Sequence, residues 1–266
     1  MMRTVLVTGA SGFIGRDLIV RLSHAGYQVR AAARNPATLP ELAGIERVVL
    51  PDLTRTFDWR PLLAGATHVV HLAGIAHATE AIPAGTYTLV NAEATRSLAA
   101  AARGAGVERV VLLSSVRAQS GPVATAPLTE TDRPQPTDAY GRSKLMAEQF
   151  LAETLAGSAT GWTALRPVLV YGPGVKGNLR SLVSLARRSL PLPFGSLTNR
   201  RSILSLPNLG SAVVHALTAM SACNRVLLVA DPEPVRIGDI VAALRSAEGR
   251  SPGIVALPLG PVAMLA

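Results

Sequence analysis

The segment Thr8-Gly9-Ala10-Ser11-Gly12-Phe13-Ile14-Gly15 constrains the fold more than any other stretch of the chain. It follows an apolar, Val-rich run that reads as a strand, and it opens a helical pattern. Its glycines are spaced G-x-x-G-x-x-G. The first allows a tight turn, the second lets the backbone approach a pyrophosphate, and the third lets the helix pack on the strand. A helix start of this kind offers free N–H groups and partial positive charge to phosphates. The loop therefore predicts a dinucleotide site formed by Gly9, Ser11, Gly12, Phe13, Ile14 and Gly15.

The rest of the chain supplies the frame for such a loop. Strand-like runs at Thr4–Thr8, Gln28–Ala33, Arg47–Leu50, His68–Leu72, Arg109–Ser114 and Trp162–Arg166 alternate with helical patterns. The helices are expected near Ile14–Ala25, Trp59–Ala64, Tyr87–Ala105 and Asp138–Leu155. This alternation predicts an α/β fold, a Rossmann-type doubly wound parallel sheet with helices on both faces. The expected domains are residues 1–166 for dinucleotide binding and 167–266 for a mixed region. That region reads as a small, truncated C-terminal substrate lobe, with some elements returning to the sheet. Pro167–Asn199 is rich in proline and glycine, and the apolar Pro252–Ala266 stops without a polar tail.

Charge and composition narrow the partners. The formal charge is +9, but almost all cations are arginines scattered along the chain, the only lysines being Lys144 and Lys176. No aromatic-rich basic stretch is present for stacking bases, so nucleic acid is not expected. No apolar run approaches the ~18 residues that span a bilayer, and the N-terminus reads as a strand rather than a signal peptide. The single Cys223 cannot form an internal disulfide and reads as a small buried hydrophobe. A reducing, cytoplasmic setting is expected. The histidines show no metal-ligand spacing, so no metal is expected. His71 and His77 read as a strand end and a loop residue.

The end of the second strand, about 20 residues beyond the glycine loop, is where an acid would hold the ribose hydroxyls of NAD. Here the sequence is Ala31-Ala32-Ala33-Arg34. A guanidinium suits a 2′-phosphate through forked, charge-assisted hydrogen bonds. NADP is favoured over NAD on this basis, and an exposed strand-end charge is the bland alternative. Asp52 and Leu53 end the third strand, where adenine would lie. Leu72, Ala73 and Gly74 end the fourth, where the cofactor would pass.

Tyr140-Gly141-Arg142-Ser143-Lys144 opens a helix, so Tyr140 and Lys144 share a face. An ammonium or a nicotinium near a phenol favours the phenolate and suits the tyrosine to general acid–base work. Ser114 and Ser115 end the fifth strand at the same carboxyl edge, and Ser115 can hold a substrate oxygen. The catalytic candidates are Ser115, Tyr140 and Lys144. There is no G-x-S-x-G elbow, so Ser115 is not read as a hydrolase nucleophile.

VTGASGFIG, HLAG, VNAEATRSL, LLSS, DAYGRSKLMAEQ and LRPVLVYGPG follow one another from about Arg3 to Val229. In this order they resemble the extended short-chain dehydrogenase/reductase family, specifically its NAD-dependent epimerase/dehydratase group. The resemblance implies that Asn91, Ser114, Arg166 and Val168 lie near the nicotinamide, and that Tyr140 and Lys144 also contact the cofactor. YGPGVKGN and Asn199-Arg200-Arg201-Ser202 look like the nucleotide-sugar branch, with UDP-glucose 4-epimerase-like enzymes and nucleotide-sugar 4-ketoreductases. In that branch Asn178 and Arg201 would meet a nucleotide diphosphate, which makes a UDP-sugar the expected small-molecule partner. The segment after Ser115 is Val116-Arg117-Ala118-Gln119, not the V-Y-G of many epimerases. No Asp-Glu pair follows, so dehydration is not expected. A carbonyl reductase acting on a non-nucleotide ketone and a non-catalytic NADP sensor remain alternatives. The oligomeric state stays open, with a homodimer among the options.

Overall fold

The computed structural model describes residues 3–76, 81–175 and 177–256. His77, Lys176 and the residues after 256 lie outside these.

β1 (Thr4–Thr8) leads through the glycine loop into α1 (Phe13–His24), followed by β2 (Gln28–Ala33) and β3 (Ile45–Val49). Next come α2 (Arg60–Leu63), β4 (His68–His71), α3 (Ala84–Tyr87) and α4 (Ala94–Gly104). β5 (Arg109–Leu113), α5 (Ala139–Leu155) and β6 (Gly161–Pro167) complete the first run. β7 (Leu169–Tyr171), α6 (Gly177–Ala186), β8 (Arg200–Arg201) and β9 (Ile203–Ser205) are shorter. α7 (Leu206–Thr218), β10 (Arg225–Val229), β11 (Val235–Arg236) and α8 (Ile237–Ala247) follow.

Two compact units result, one built from Met1–Val168 with Leu206–Val229, the other from Leu169–Ser205 with Ala230–Ala266. The first holds a seven-stranded sheet in the order β3-β2-β1-β4-β5-β6-β10, with every neighbouring pair parallel. This is the Rossmann arrangement, and the chain reverses direction across the sheet between β1 and β4. In open α/β sheets the crevice at such a reversal, outside the strands' carboxyl ends, is where ligands bind.

Both faces of the sheet are buried, as a parallel sheet requires. Leu6, Val69, Val110 and Leu112 meet Leu98, Ala99 and Ala102 of α4 and Ala147, Leu151 and Leu155 of α5. Val5 and Val7 point the other way and are also fully buried, on the side where α1 packs with α7. Burying one such leucine contributes about 1.5–3 kcal/mol.

The helix expected over Tyr87–Ala105 is more varied than its periodicity suggested. Between α3 and α4 the residues Thr88–Glu93 form a π-helical segment, a wider turn often found at functional positions. Cys223, expected to be buried, is only half-buried. It sits against Gly161, where an added Cβ would come within 2.7 Å of its sulfur.

In the second unit β7 pairs in parallel with β9, and β8 pairs antiparallel with β11. α6 packs on α8 around a small core of Ala186, Leu192 and Val241. Among the described residues no helix is long and apolar enough to cross a membrane.

Candidate active site

The glycine loop is shaped by backbone crowding. Gly9 has φ +71°, and a Cβ there would lie 2.7 Å from the Ala73 nitrogen after β4. Gly15 likewise has no room for a side chain against Gly9 and Ala10. Gly12 is different, because a Cβ there would meet only the Gly9 carbonyl, at 3.2 Å. Gly12 is also the N-cap of α1. No side chain caps this helix, and its first turn carries no acid. An uncapped helix start beside a glycine whose missing side chain leaves space fits a pyrophosphate. Ser11, Phe13 and Ile14 are half-buried around it.

Thr8 and His71 tie the β1 and β4 ends together. Their Oγ1 and Nδ1 lie 2.7 Å apart, and the Ala73 N–H donates to the same hydroxyl at 3.2 Å. Burial, helped by the positive charge of Lys144, depresses His71 to about 3, so the imidazole is neutral. Its Nε2 is buried without a hydrogen-bond partner among the described residues.

At the ends of the outer strands, Arg34 is exposed after β2 and Asp52 is exposed after β3. The Asp52 carboxyl is held below its usual range, chiefly by hydrogen bonds from Thr54, with Arg55 and Arg34 adding to the effect. Leu53 and Leu72 are half-buried, and Ala73 is buried. Gly74 faces the inner site: a Cβ there would lie 2.6 Å from Asn91 Oδ1 and 3.5 Å from Lys144 Nζ.

Asn91 is buried in the π-helical segment and links three elements. Its Oδ1 accepts from the Ile75 N–H at 2.8 Å, and its Nδ2 donates to Ser143 Oγ at 2.9 Å. Ser143 Oγ in turn donates to the Tyr140 carbonyl at 2.7 Å. The chain after β4 is thereby fastened to the first turn of α5.

That first turn carries Tyr140, with Asp138 as the helix N-cap. Tyr140, Ser115 and Lys144 are all buried, and the Ser115 side chain lies near enough to the Tyr140 phenol to ease its ionisation. Lys144 Nζ donates to the Leu113 carbonyl at 2.9 Å. Burial depresses Lys144 to about 8, although Glu148 one turn further along favours its charged form. For Tyr140 the balance differs from the expectation that nearby positive charge dominates. Burial is the largest influence and pushes the phenol up, while Ser115 and Arg117 work against it. The phenol is thus held protonated and ready to donate.

Behind this group lies a buried polar network. Arg166, 3% exposed, forks onto Glu148, with Nε to Oε1 at 2.9 Å and Nη2 to Oε2 at 2.5 Å. Its Nη1 donates to Gln119 Oε1, and Ser114 Oγ donates to Glu148. The Gln119 amide also donates to the Thr129 and Asp132 carbonyls. Ser114 and Arg166 were expected near a nicotinamide on family grounds. Their polar atoms here are engaged with Glu148 and Gln119. Val168 is half-buried, and its N–H donates to the Val229 carbonyl at 3.1 Å.

The structure therefore gathers Ser115, Tyr140, Lys144, Asn91 and Gly74 at one sheet edge. Sequence reading missed Glu148, Gln119, Arg117, Asp138 and Ser143. Glu148 carried a signal, being a carboxylate at i+4 from Lys144 on the same helix face. The two residues expected to meet a diphosphate belong to the second unit. Asn178 is in the first turn of α6, and Arg201 is exposed in β8, opposite Val235 of β11.

Comparison with known proteins agrees with this architecture. The NAD dependent epimerase/dehydratase family matches residues 5–230. A UDP-glucose 4-epimerase of Vibrio cholerae is 35% identical over 250 residues, covering 92% of this chain and 75% of that protein. The solved structure of MoeE5 superposes with a TM-score of 0.81 at 29% identity, covering 96% of this chain and 85% of that one. MoeE5 has been solved with UDP-glucuronic acid and NAD, and with UDP-glucose and NAD.

Proposed function

From the premise that the chain belongs to the NAD-dependent epimerase/dehydratase family, we propose that it transfers hydride at C4 of a UDP-hexose or UDP-N-acetylhexosamine, as an epimerase or 4-ketoreductase. The observation that carries this reading is the buried Ser115–Tyr140–Lys144 group beside the uncapped α1 start. The nicotinamide, when bound, accepts and donates the hydride.

The chain's own residues do the rest. Ser115 Oγ and Tyr140 Oη are neighbours, so a single sugar oxygen can contact both. Ser115 orients that oxygen, and Tyr140 moves its proton. Reduction draws the proton from the phenol, and oxidation returns it. Lys144 places positive charge one helical turn away and has N–H groups for the nicotinamide ribose. Gly9, Gly12 and the α1 start cradle the pyrophosphate. Asn91 holds the chain after β4 in place. Asn178 and Arg201 take the sugar nucleotide's diphosphate, for which a guanidinium is well suited.

Arg34, on a strand end with no acid, supports a preference for NADP. An epimerase regenerates its cofactor within each turnover, whereas a net reductase consumes a reduced pool. A preference for NADP would therefore favour 4-ketoreduction.

The test is to incubate the protein with a panel of UDP-sugars and UDP-4-keto sugars, with NAD(H) and with NADP(H), and to identify products by NMR. Conversion at C4 is expected. Turnover of simple ketones, with every nucleotide sugar left untouched, would overturn the substrate assignment. In the productive pairing, Tyr140→Phe is expected to lower turnover by about 10²–10⁴-fold while cofactor binding, read by fluorescence titration, is retained. Undiminished turnover would remove Tyr140 from the mechanism.

A further inference from the structure

The turn after Ser115 and the start of α5 are joined by an ion pair that the scheme above does not use. Arg117 lies in the 3₁₀ turn Val116–Ala118. Its main-chain N–H donates to Ser115 Oγ at 3.1 Å, and its guanidinium pairs through Nη2 with Asp138 Oδ2. The other oxygen of Asp138 caps α5 by accepting the Gly141 N–H at 2.6 Å. Gly141 itself packs on the Arg117 carbonyl with no room for a Cβ. A further main-chain bond, Gln135 N–H to the Gln119 carbonyl at 2.8 Å, closes the connection. Two segments about twenty residues apart are thus locked in one register. Ser115 and Tyr140 are the side chains that this register brings into contact. Because Ser115 Oγ accepts from Arg117, its own proton remains available to a partner.

We propose that the Arg117–Asp138 pair is a positioning device for Tyr140, holding Ser115 against the phenol and presenting to its oxygen a balanced pair of charges instead of a lone one. The proposal rests on the reading of Tyr140 as the proton-transfer group. It assigns a role to the position where this chain has Val116-Arg117-Ala118 in place of the V-Y-G of many epimerases. Four groups that can carry charge are set around Tyr140. Arg117 comes from the turn after β5, Asp138 from the α5 cap, Tyr87 from α3, and Lys144 from the next turn of α5. Arg117 favours the phenolate, whereas Asp138 and Tyr87 oppose it. The side chains of the pair are each 26% exposed, so solvent screens them in part, but their shared contacts hold the geometry.

The test needs no substrate, so it remains informative even if the C4 chemistry is wrong. The chain has only four tyrosines. Labelling their ring carbons with ¹³C and comparing with Tyr140→Phe isolates the Tyr140 titration by NMR. Arg117→Gln leaves Asp138 unbalanced and is expected to move the phenol's titration upward. Asp138→Asn keeps an acceptor for the helix cap, leaves Arg117 unbalanced and is expected to move it downward. The Arg117→Gln/Asp138→Asn double variant is expected to return close to the parent value, as a coupled pair should in a double-mutant cycle. Arg117→Lys keeps the charge, and is expected to stay nearer the parent than Arg117→Gln. Single variants that both shift the same way, or leave the titration unmoved, would reduce the pair to ordinary scaffolding and overturn the proposal.

Discussion

In the seven-stranded unit the buried Arg166 faces the carboxylate of Glu148, whereas in the second unit the buried Arg245 of α8 hydrogen-bonds, among the described residues, to main-chain carbonyls. Arg245 donates to the oxygens of Ala186, Arg188, Leu190, Pro252 and Gly253. Arg250 adds bonds to Ala186, Arg187 and Arg188. Ala186, Arg187 and Arg188 lie at the end of α6, where helix carbonyls lack internal partners and the helix dipole favours a cation. The contrast shows two uses of a buried guanidinium. The sheet unit has a large apolar core and places its buried ion pair behind the proposed catalytic edge. The smaller unit has few apolar residues to organise irregular chain, so one arginine gathers several orphan acceptors.

The contrast can be broken at three points. The largest effect is expected for Glu148→Gln, which leaves Arg166 without its counter-charge. Removing one member of a buried pair costs about 3–5 kcal/mol, measurable by urea denaturation. Adding Arg166→Met should recover much of the loss, because the uncompensated charge is then gone. If the single variant were as stable as the parent, the pair would not be electrostatically coupled.

Arg245→Met is expected to cost less, about 1–3 kcal/mol for buried acceptors left unsatisfied. Its effect should also be local. Amide exchange should accelerate at Leu192 and Val255, whose N–H groups bond across this segment, while β5 and β6 keep their protection. Uniform loss of protection across both units would remove the distinction drawn between them.

At neutral pH the smallest effect concerns His71, whose contribution changes only on acidification. An unfolded histidine takes up a proton below its ordinary value near 6.5, whereas the folded one remains neutral until about 3. Stability present above pH 6.5 is therefore lost as pH falls toward 3, by about 1.4 kcal/mol per pH unit. His71→Gln should flatten that slope between pH 6.5 and 4, as followed by denaturation at each pH. An unchanged slope would place the acid sensitivity elsewhere.

The parts legible in the sequence were those encoded over short distances. The glycine loop is a run of eight residues, the strand and helix alternation is written in local periodicity, and Tyr140 and Lys144 share a face because they are four apart. Arg34 and Gly74 could be assigned to strand ends for the same reason. The sequence alone thereby determined the fold class and the edge of the sheet at which to look. Tertiary structure decided what the polar residues do at that edge. Arg166 meets Glu148 across 18 positions, Gln119 across 47, and Asn91 meets Ser143 across 52. Nothing in local spacing reveals such partners, because they become neighbours only when parallel strands and their crossover helices stack. Burial also changes the chemistry once they meet: it holds the Tyr140 phenol protonated and the His71 ring neutral. Desolvation of this kind depends on what surrounds a side chain in three dimensions.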